Sequence, residues 1–353
     1  MPDSPAAPLA KPTDVEPWLK KHFEQLDKNK DGGIDVVELF RAYRDPKLGA
    51  TDSATVLAML KGFSLIDQQD KKDCKITLAD AAALTKNLAD KKDPELEKKW
   101  KEAVGFGNER VSQINNKLWG EFSKPLDAIK PDAVGQGLVG DCWFLAAVAA
   151  VADTMPQKIE KMIQQTSDGK FKVTFPGLPD KPVTVDPPSN IELAMFAKGT
   201  KHGTWVAVLE KAASKLGLRQ TEDEILSLNG NDPAVALQLL SGFKTVTLAG
   251  DDVNVRQKLA VAQQWGLPIV CGTRVEGTDK EHDERGIYFT HAYSAKYDPR
   301  DRKIEVRNPW GWAKDSEPTL PDGRPVDGIA DGAFKMSIKD FRKSFTTICV
   351  VMP

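Results

Sequence analysis

Eleven consecutive residues, Cys142–Ala152 (CWFLAAVAAVA), carry no charged, amide or hydroxyl side chain. Wound as a helix, such a run is apolar on every face, so protein has to surround it on all sides. It falls well short of the roughly 18–20 residues that cross a bilayer, and no other apolar run is longer, so no membrane span is expected. The chain must therefore build a layered interior around this segment. With 353 residues, 41% of them hydrophobic, it has the material for two or three domains. Its 49 basic and 51 acidic residues leave a formal charge of −2. No whole-chain field draws it to nucleic acid or anionic lipid, and neither is expected as a partner. The opening MPDSPAAPLAKPTD lacks a basic segment followed by an apolar one, which points away from secretion. Cys74, Cys142, Cys271 and Cys349 lie far apart with no C-x-x-C pair, so neither a zinc cage nor a disulfide framework is spelled out. A cytoplasmic, reducing setting with free thiols is expected.

Residues 1–13, rich in Pro and Ala, read as a mobile arm. Between 14 and 92 two helix–loop–helix units follow. Trp18, Leu19, Phe23 and Leu26 recur at helical spacing before DKNKDGGIDVVE, and Val56, Leu57, Leu60 and Phe63 do so before DQQDKKDCKITLAD. From Lys86 to Glu102, 11 of 17 residues are charged, so 93–110 reads as a charged linker. Beyond it the grammar changes. Residues 111–240 read as mainly helical, and 241–353 as strand-rich through KTVTL, PIVCG, IYFTHAYSA and KIEVRN. The fold class expected is α+β, preceded by an all-α pair.

The first loop has the residues of a calcium site. Asp27, Asn29, Asp31, Asp35 and Glu38 place oxygen-bearing side chains at positions one, three, five, nine and twelve, with Gly32 at the sharp bend and Gly33 offering its carbonyl. A hard cation takes this set from one tight turn, and Glu38 closes it with two oxygens. In the second loop, pairing Ile76 with Ile34 puts Gln69 at position one and Lys71 at position three, and a lysine cannot ligate a cation. A longer loop from Asp67 or Asp70 is the alternative. The region resembles an EF-hand pair in which one loop binds calcium.

Catalytic chemistry is suggested by four separated residues. Cys142 directly precedes the apolar helix, where the helix dipole favours thiolate. Gln136 is placed to bring an amide N–H to the same point, which with the Cys142 backbone N–H would hold an oxyanion. His291 lies in a strand-like stretch and Asn308 at the end of the next, so adjacent antiparallel strands would join them as base and orienter. Trp310 is expected to cover their hydrogen bond. Cys271 and Cys349 read as buried strand residues, and His22, His202 and His282 as surface or loop histidines.

At these residues the sequence resembles the calpain family of papain-like cysteine endopeptidases. QGLVGDCWFLAAVAAVA, HAYSA and RNPWGW match the motifs bearing the oxyanion glutamine, the cysteine, the histidine and the asparagine. TWVAVLEKAASKL, NGND and DGAFKMSIKDF match further blocks. The resemblance covers about Val111 to the C-terminus. It implies a helical lobe carrying Cys142 and a β-rich lobe carrying His291 and Asn308, polypeptide substrates, and a groove lined by Gly230 and Trp310. It also implies a calcium site in each lobe, but the positions where acids are expected hold Ala133, Gly203 and Ala333, so calcium control is expected in the front domain. Thr290 stands where glycine is common. The family's C-terminal β-sandwich and penta-EF-hand domain have no counterpart in this reading. Two rivals remain: a calcium-responsive binding protein whose protease fold does not cleave, and a transglutaminase-like Cys–His–Asp enzyme, which Asn308 and Gln136 disfavour.

Overall fold

The structure, a computed structural model, describes residues 10–44, 48–112, 117–197, 201–218, 225–274, 281–311, 316–320 and 324–352. It divides into two compact units, Met1–Ile114 with Pro188–Met195, and Asn115–Pro187 with Phe196–Pro353.

The first unit is helical: α1 Val15–Leu26, α2 Val36–Phe40, α3 Ala50–Lys61, α4 Phe63–Asp67, α5 Leu78–Asp90 and α6 Pro94–Ser112. Its two loops are joined by reciprocal backbone hydrogen bonds between Ile34 and Ile76, both fully buried. Two of the sequence expectations change here. The 93–110 stretch lies within α6, which buries Leu96, Trp100, Ala103, Val104 and Gly107 against α3. Its lysines and glutamates occupy the outer face and mask a regular apolar stripe, while Arg110 is buried. Gly107 permits the close crossing, since a Cβ there would stand 2.3 Å from the Ala54 carbonyl oxygen. The end of the presumed mobile arm is likewise held. Ala10 is buried and exchanges hydrogen bonds with the Asn108 amide, and the Trp100 indole N–H donates to the Pro12 carbonyl. Pro188–Met195 also belongs to this unit, where the Ala194 carbonyl accepts from Arg110 Nε.

The second unit is built around the apolar helix, which runs from Cys142 to Thr154 and is buried from Trp143 through Ala152. Its neighbours are the helix Pro233–Ser241 and strands of the larger sheet. A small antiparallel sheet holds β1 Ile163–Gln165, β2 Phe171–Val173 and β3 Val183–Val185. The larger one holds β4 Lys244–Ala249, β5 Ile269–Thr273, β6 Ala292–Asp298, β7 Lys303–Arg307, β8 Ala333–Ser337 and β9 Phe345–Met352, in the order β4-β9-β5-β6-β7-β8. The last strand is inserted between β4 and β5, which explains why TTICVVM is apolar without alternation: both of its faces are covered.

Candidate active site

The ladder between β6 and β7 begins at Ser294–Arg307 and opens toward the chain ends at His291 and Asn308. These two residues therefore face each other just beyond the last paired rung. His291 Nε2 lies 2.8 Å from Asn308 Oδ1. The same oxygen accepts the Trp310 backbone N–H at 3.0 Å, which identifies it as the carbonyl side of the amide. His291 Nε2 must then be the donor, and Nδ1 carries the free lone pair. Asn308 is fully buried and His291 is 9% exposed. Trp310 tilts over the imidazole at 4.8 Å between centroids, and Tyr288 packs on Trp310 at 4.5 Å. Trp310 is thus a cover on the histidine.

The main chain around His291 is fixed as firmly. Its N–H donates to Thr273 Oγ1, and its carbonyl accepts from the Thr273 N–H. Thr290 adopts φ +51°, a left-handed conformation that a β-branched residue resists.

Cys142 opens its helix as expected, and the Ala292 backbone amide, next to His291 in the chain, favours its thiolate. The electrostatics differ from the sequence expectation. Burial pushes the thiol up to about 11 despite that amide, and burial drives the His291 imidazole down to about 4, partly opposed by the Asn308 bond. Desolvation outweighs the helix dipole, whose effect is at most about 2 kcal/mol. At neutral pH the thiol and the imidazole are therefore both uncharged.

The Gln136 backbone N–H donates to the Pro309 carbonyl at 2.7 Å, so the 134–136 loop is docked on the turn that follows Asn308. Gly311 lets the two approach, since a Cβ there would meet the Val134 carbonyl oxygen at 2.7 Å. The Gln136 side-chain nitrogen gives one hydrogen to the Val139 carbonyl at 2.7 Å. Gly230, exposed at φ +59°, donates its N–H to the Gly140 carbonyl, while Asn229 Oδ1 accepts the Gly140 N–H. The NGND turn is thereby joined to the backbone two residues before Cys142.

Cys271 and Cys349 are buried in neighbouring strands. His202, expected in a surface or loop position, lies in a turn but is buried. It stacks on Phe122, its Nδ1 lies 3.1 Å from the Ala128 carbonyl oxygen, and its Nε2 lies 3.5 Å from Asp132. The sequence reading also passed over Asp141, Glu210 and Glu317, all buried acids; a carboxylate inside an otherwise apolar motif such as GDCWF or VLEKAA was the available signal.

In the first unit, Asp27 accepts the N–H groups of Asp31 and Gly32, and Glu38 those of Lys28, Asn29 and Asp35. These two carboxylates are buried and, among the described residues, accept backbone N–H groups, and their oxygens suit a hard cation. Asp31 instead meets Lys75 Nζ at 2.7 Å. Among the described residues no three acidic, histidine or cysteine side chains converge as a metal cage. The second loop starts at Asp67, two residues before the position reached by counting back from Ile76. Asp67 accepts from the Asp73 and Lys75 N–H groups and Asp80 from that of Asp70, while Gln69 bonds elsewhere.

A family model described as calpain family cysteine protease matches residues 78–352, a segment that includes the Cys142 site and excludes the first acidic loop. The calpain-type cysteine protease DEK1 of Arabidopsis thaliana is 28% identical over 260 residues, covering 63% of this chain and 12% of the plant protein. Calpain-14 of Homo sapiens is 30% identical over 253 residues, 62% of this chain and 36% of its own. Calpain clp-4 of Caenorhabditis elegans is 28% identical over 250 residues, 60% of this chain and 34% of its own. The chain spans about a third or less of the length of these curated relatives.

Proposed function

The chain belongs to the calpain family of cysteine proteases, and we propose that it is an endopeptidase that hydrolyses polypeptides through a thioester on Cys142. The observation that carries this reading is the His291–Asn308 bond, which leaves Nδ1 as a base at the start of β6, the strand on which the Cys142 helix packs. Because thiol and imidazole are both neutral at rest, the thiol proton passes to Nδ1 as the sulfur attacks the carbonyl carbon. The oxyanion is held by the Cys142 backbone N–H, a first-turn donor with no partner in its own helix, and by the second Gln136 amide hydrogen. The imidazolium then protonates the leaving amine. Water, activated by the same Nδ1, hydrolyses the thioester and frees Cys142. Gly230 places an exposed turn beside this centre, a fit for an extended peptide backbone. The four thiols, all free, suit a reducing compartment.

Calcium is proposed for the front loop alone, with Asp27, Asn29, Asp31, Asp35, Glu38 and the Gly33 carbonyl as ligands in an EF-hand arrangement. Bound there, the ion would draw the Asp27 and Glu38 carboxylates off the loop's N–H groups and fix the loop's shape. In the protease core the corresponding places are taken. A Cβ at Gly203 would stand 2.3 Å from the Gly120 nitrogen, so no acidic side chain fits there. Asp331, beside Ala333, already bonds the Arg307 guanidinium.

The neutral, buried thiol favours one second reading, a fold that binds peptide without cutting it. Hydrolysis of a quenched fluorescent peptide library by the purified chain, lost in Cys142→Ala, supports the protease. Binding without turnover supports the other.

A further inference from the structure

Thr273 ends β5 and His291 stands just ahead of β6, where a regular antiparallel rung would join them by two backbone bonds. Among the described residues one of these is made and the other replaced. The Thr273 N–H donates to the His291 carbonyl at 3.0 Å, but the His291 N–H goes to the Thr273 hydroxyl, also at 3.0 Å, in place of the Thr273 carbonyl. The same Oγ1 lies 3.1 Å from the His291 carbonyl oxygen. A carbonyl oxygen only accepts, so the hydroxyl hydrogen points at it. One side chain therefore serves both polar groups of the His291 main chain.

The exchange falls where both strands leave regular geometry. The register of β5 with β9 shifts between Gly272 and Thr273, and Thr290 leads into His291 at φ +51°, its N–H given to the Arg274 carbonyl at 3.0 Å. Irregularities of this kind re-aim the side chain beside them. A β-branched residue stays left-handed only where its surroundings hold it there. The side chain re-aimed here is the His291 imidazole, which meets Asn308 just beyond the last rung of β6 and β7.

We propose that Thr273 is a positioning residue for the reaction: its hydroxyl stands in for a backbone acceptor, holds the kink at Thr290 and His291, and so sets the imidazole with Nε2 on Asn308 and Nδ1 free. The inference rests on the reading of His291 as the base. Without the hydroxyl, the His291 N–H regains an acceptor only by turning toward the Thr273 carbonyl, a rotation that carries the ring off Asn308. Both bonds of the hydroxyl go to the His291 main chain, so Thr273 acts through His291. The methyl group of Thr273 has no part in this, which gives the test its sign.

Variants of the full chain separate the two groups. Thr273→Ser keeps the hydroxyl and drops the methyl, whereas Thr273→Val keeps the shape and drops the hydroxyl. Serine should hold kcat within about threefold of the parent, and valine should lower it about tenfold or more with KM little changed, the loss expected when a buried N–H is left without its acceptor. A residue that only filled space would give the opposite order. The second readout needs no turnover. Proton NMR should show a downfield imidazole resonance, absent from His291→Ala, for the Nε2 proton held by Asn308. Its exchange with water should be unchanged in Thr273→Ser and about tenfold faster or more in Thr273→Val, as the loss of one bond of this kind requires. If valine does not fold, Thr273→Ala takes its place against serine, with the same gap expected. A hydroxyl-free variant as active as serine, an Nε2 proton indifferent to loss of the hydroxyl, or a parent chain without the resonance overturns the proposal. The two readings fail separately. A chain whose imidazole proton depends on the Thr273 hydroxyl but which cleaves nothing keeps the hydroxyl's hold on the ring and sinks the protease, whereas one that cleaves peptides as fast with valine as with threonine sinks the positioning alone.

Discussion

Replacing Asn308 by alanine removes one acceptor from one histidine, and the structure sets the size of the effect. The bond is 2.8 Å long between a fully buried amide and an imidazole that is 9% exposed, so water cannot readily substitute. Leaving a buried donor unmet costs about 1–3 kcal/mol. The cost falls on the orientation of Nδ1 and grows in the transition state, where the imidazole is charged. At about 1.4 kcal/mol per factor of ten, kcat should fall roughly 5- to 150-fold. KM should change little, since Asn308 lies under the histidine. The imidazole also loses the bond that partly offsets its desolvation, so it becomes a weaker base than its present value of about 4 indicates. The assay is steady-state hydrolysis of a fluorogenic peptide, with circular dichroism to confirm folding. Asn308→Asp, which keeps an acceptor, should retain more activity than the alanine variant. A kcat unchanged within about twofold would mean that Asn308 is only a turn residue before Pro309. A loss as complete as that of Cys142→Ala would mean that it does more than orient.

Four further outcomes are expected. The His291 value of about 4 lies below the ordinary 6.5, so the unfolded chain binds the extra proton. The stability this residue contributes is present above about pH 6.5 and lost toward pH 4, up to about 3 kcal/mol, and denaturant melts of His291→Ala should lack that loss. Asp141, raised from 3.8 to about 7, has the opposite sign, with stability lost as pH rises from about 4 through 7. The two contributions oppose each other in the parent chain and separate in His291→Ala and Asp141→Asn. Thr290→Gly relieves the φ +51° conformation and should raise Tm by an amount matching about 1 kcal/mol; a lower Tm would show that the side chain packs favourably. By calorimetry, Glu38→Gln should weaken calcium binding at the front loop at least tenfold, and Lys75→Ala, which vacates Asp31, should strengthen it. No calcium heat in the parent chain would remove the front-loop assignment.

The sequence was most legible where one physical demand dominated. An all-apolar helix had to be central, and the Cys142 helix is. The alternating KIEVRN and the HAYSA stretch read as adjacent strands, and the structure pairs them with His291 and Asn308 in hydrogen-bond contact just beyond the ladder. Legibility failed where two signals competed. The charges of α6 hid its buried stripe around Trp100, and the two added residues in the second loop shifted its start from Gln69 to Asp67. The helix dipole at Cys142 was visible in sequence, but desolvation, which opposes it and wins, depends on packing that no local window contains. The burial of His202, Asp141 and Glu210 was not legible for the same reason, because burial of a polar residue is set by distant segments.

The central claim is that Cys142 is the nucleophile and His291 its base. It is tested most directly by the intact mass of the chain after treatment with a peptidyl vinyl sulfone, followed by peptide mapping. A single adduct on Cys142 is predicted, with none in Cys142→Ala and a rate at least tenfold lower in His291→Ala. An adduct on the exposed Cys74 with Cys142 unmodified, or labelling of Cys142 at an equal rate without His291, would contradict the assignment.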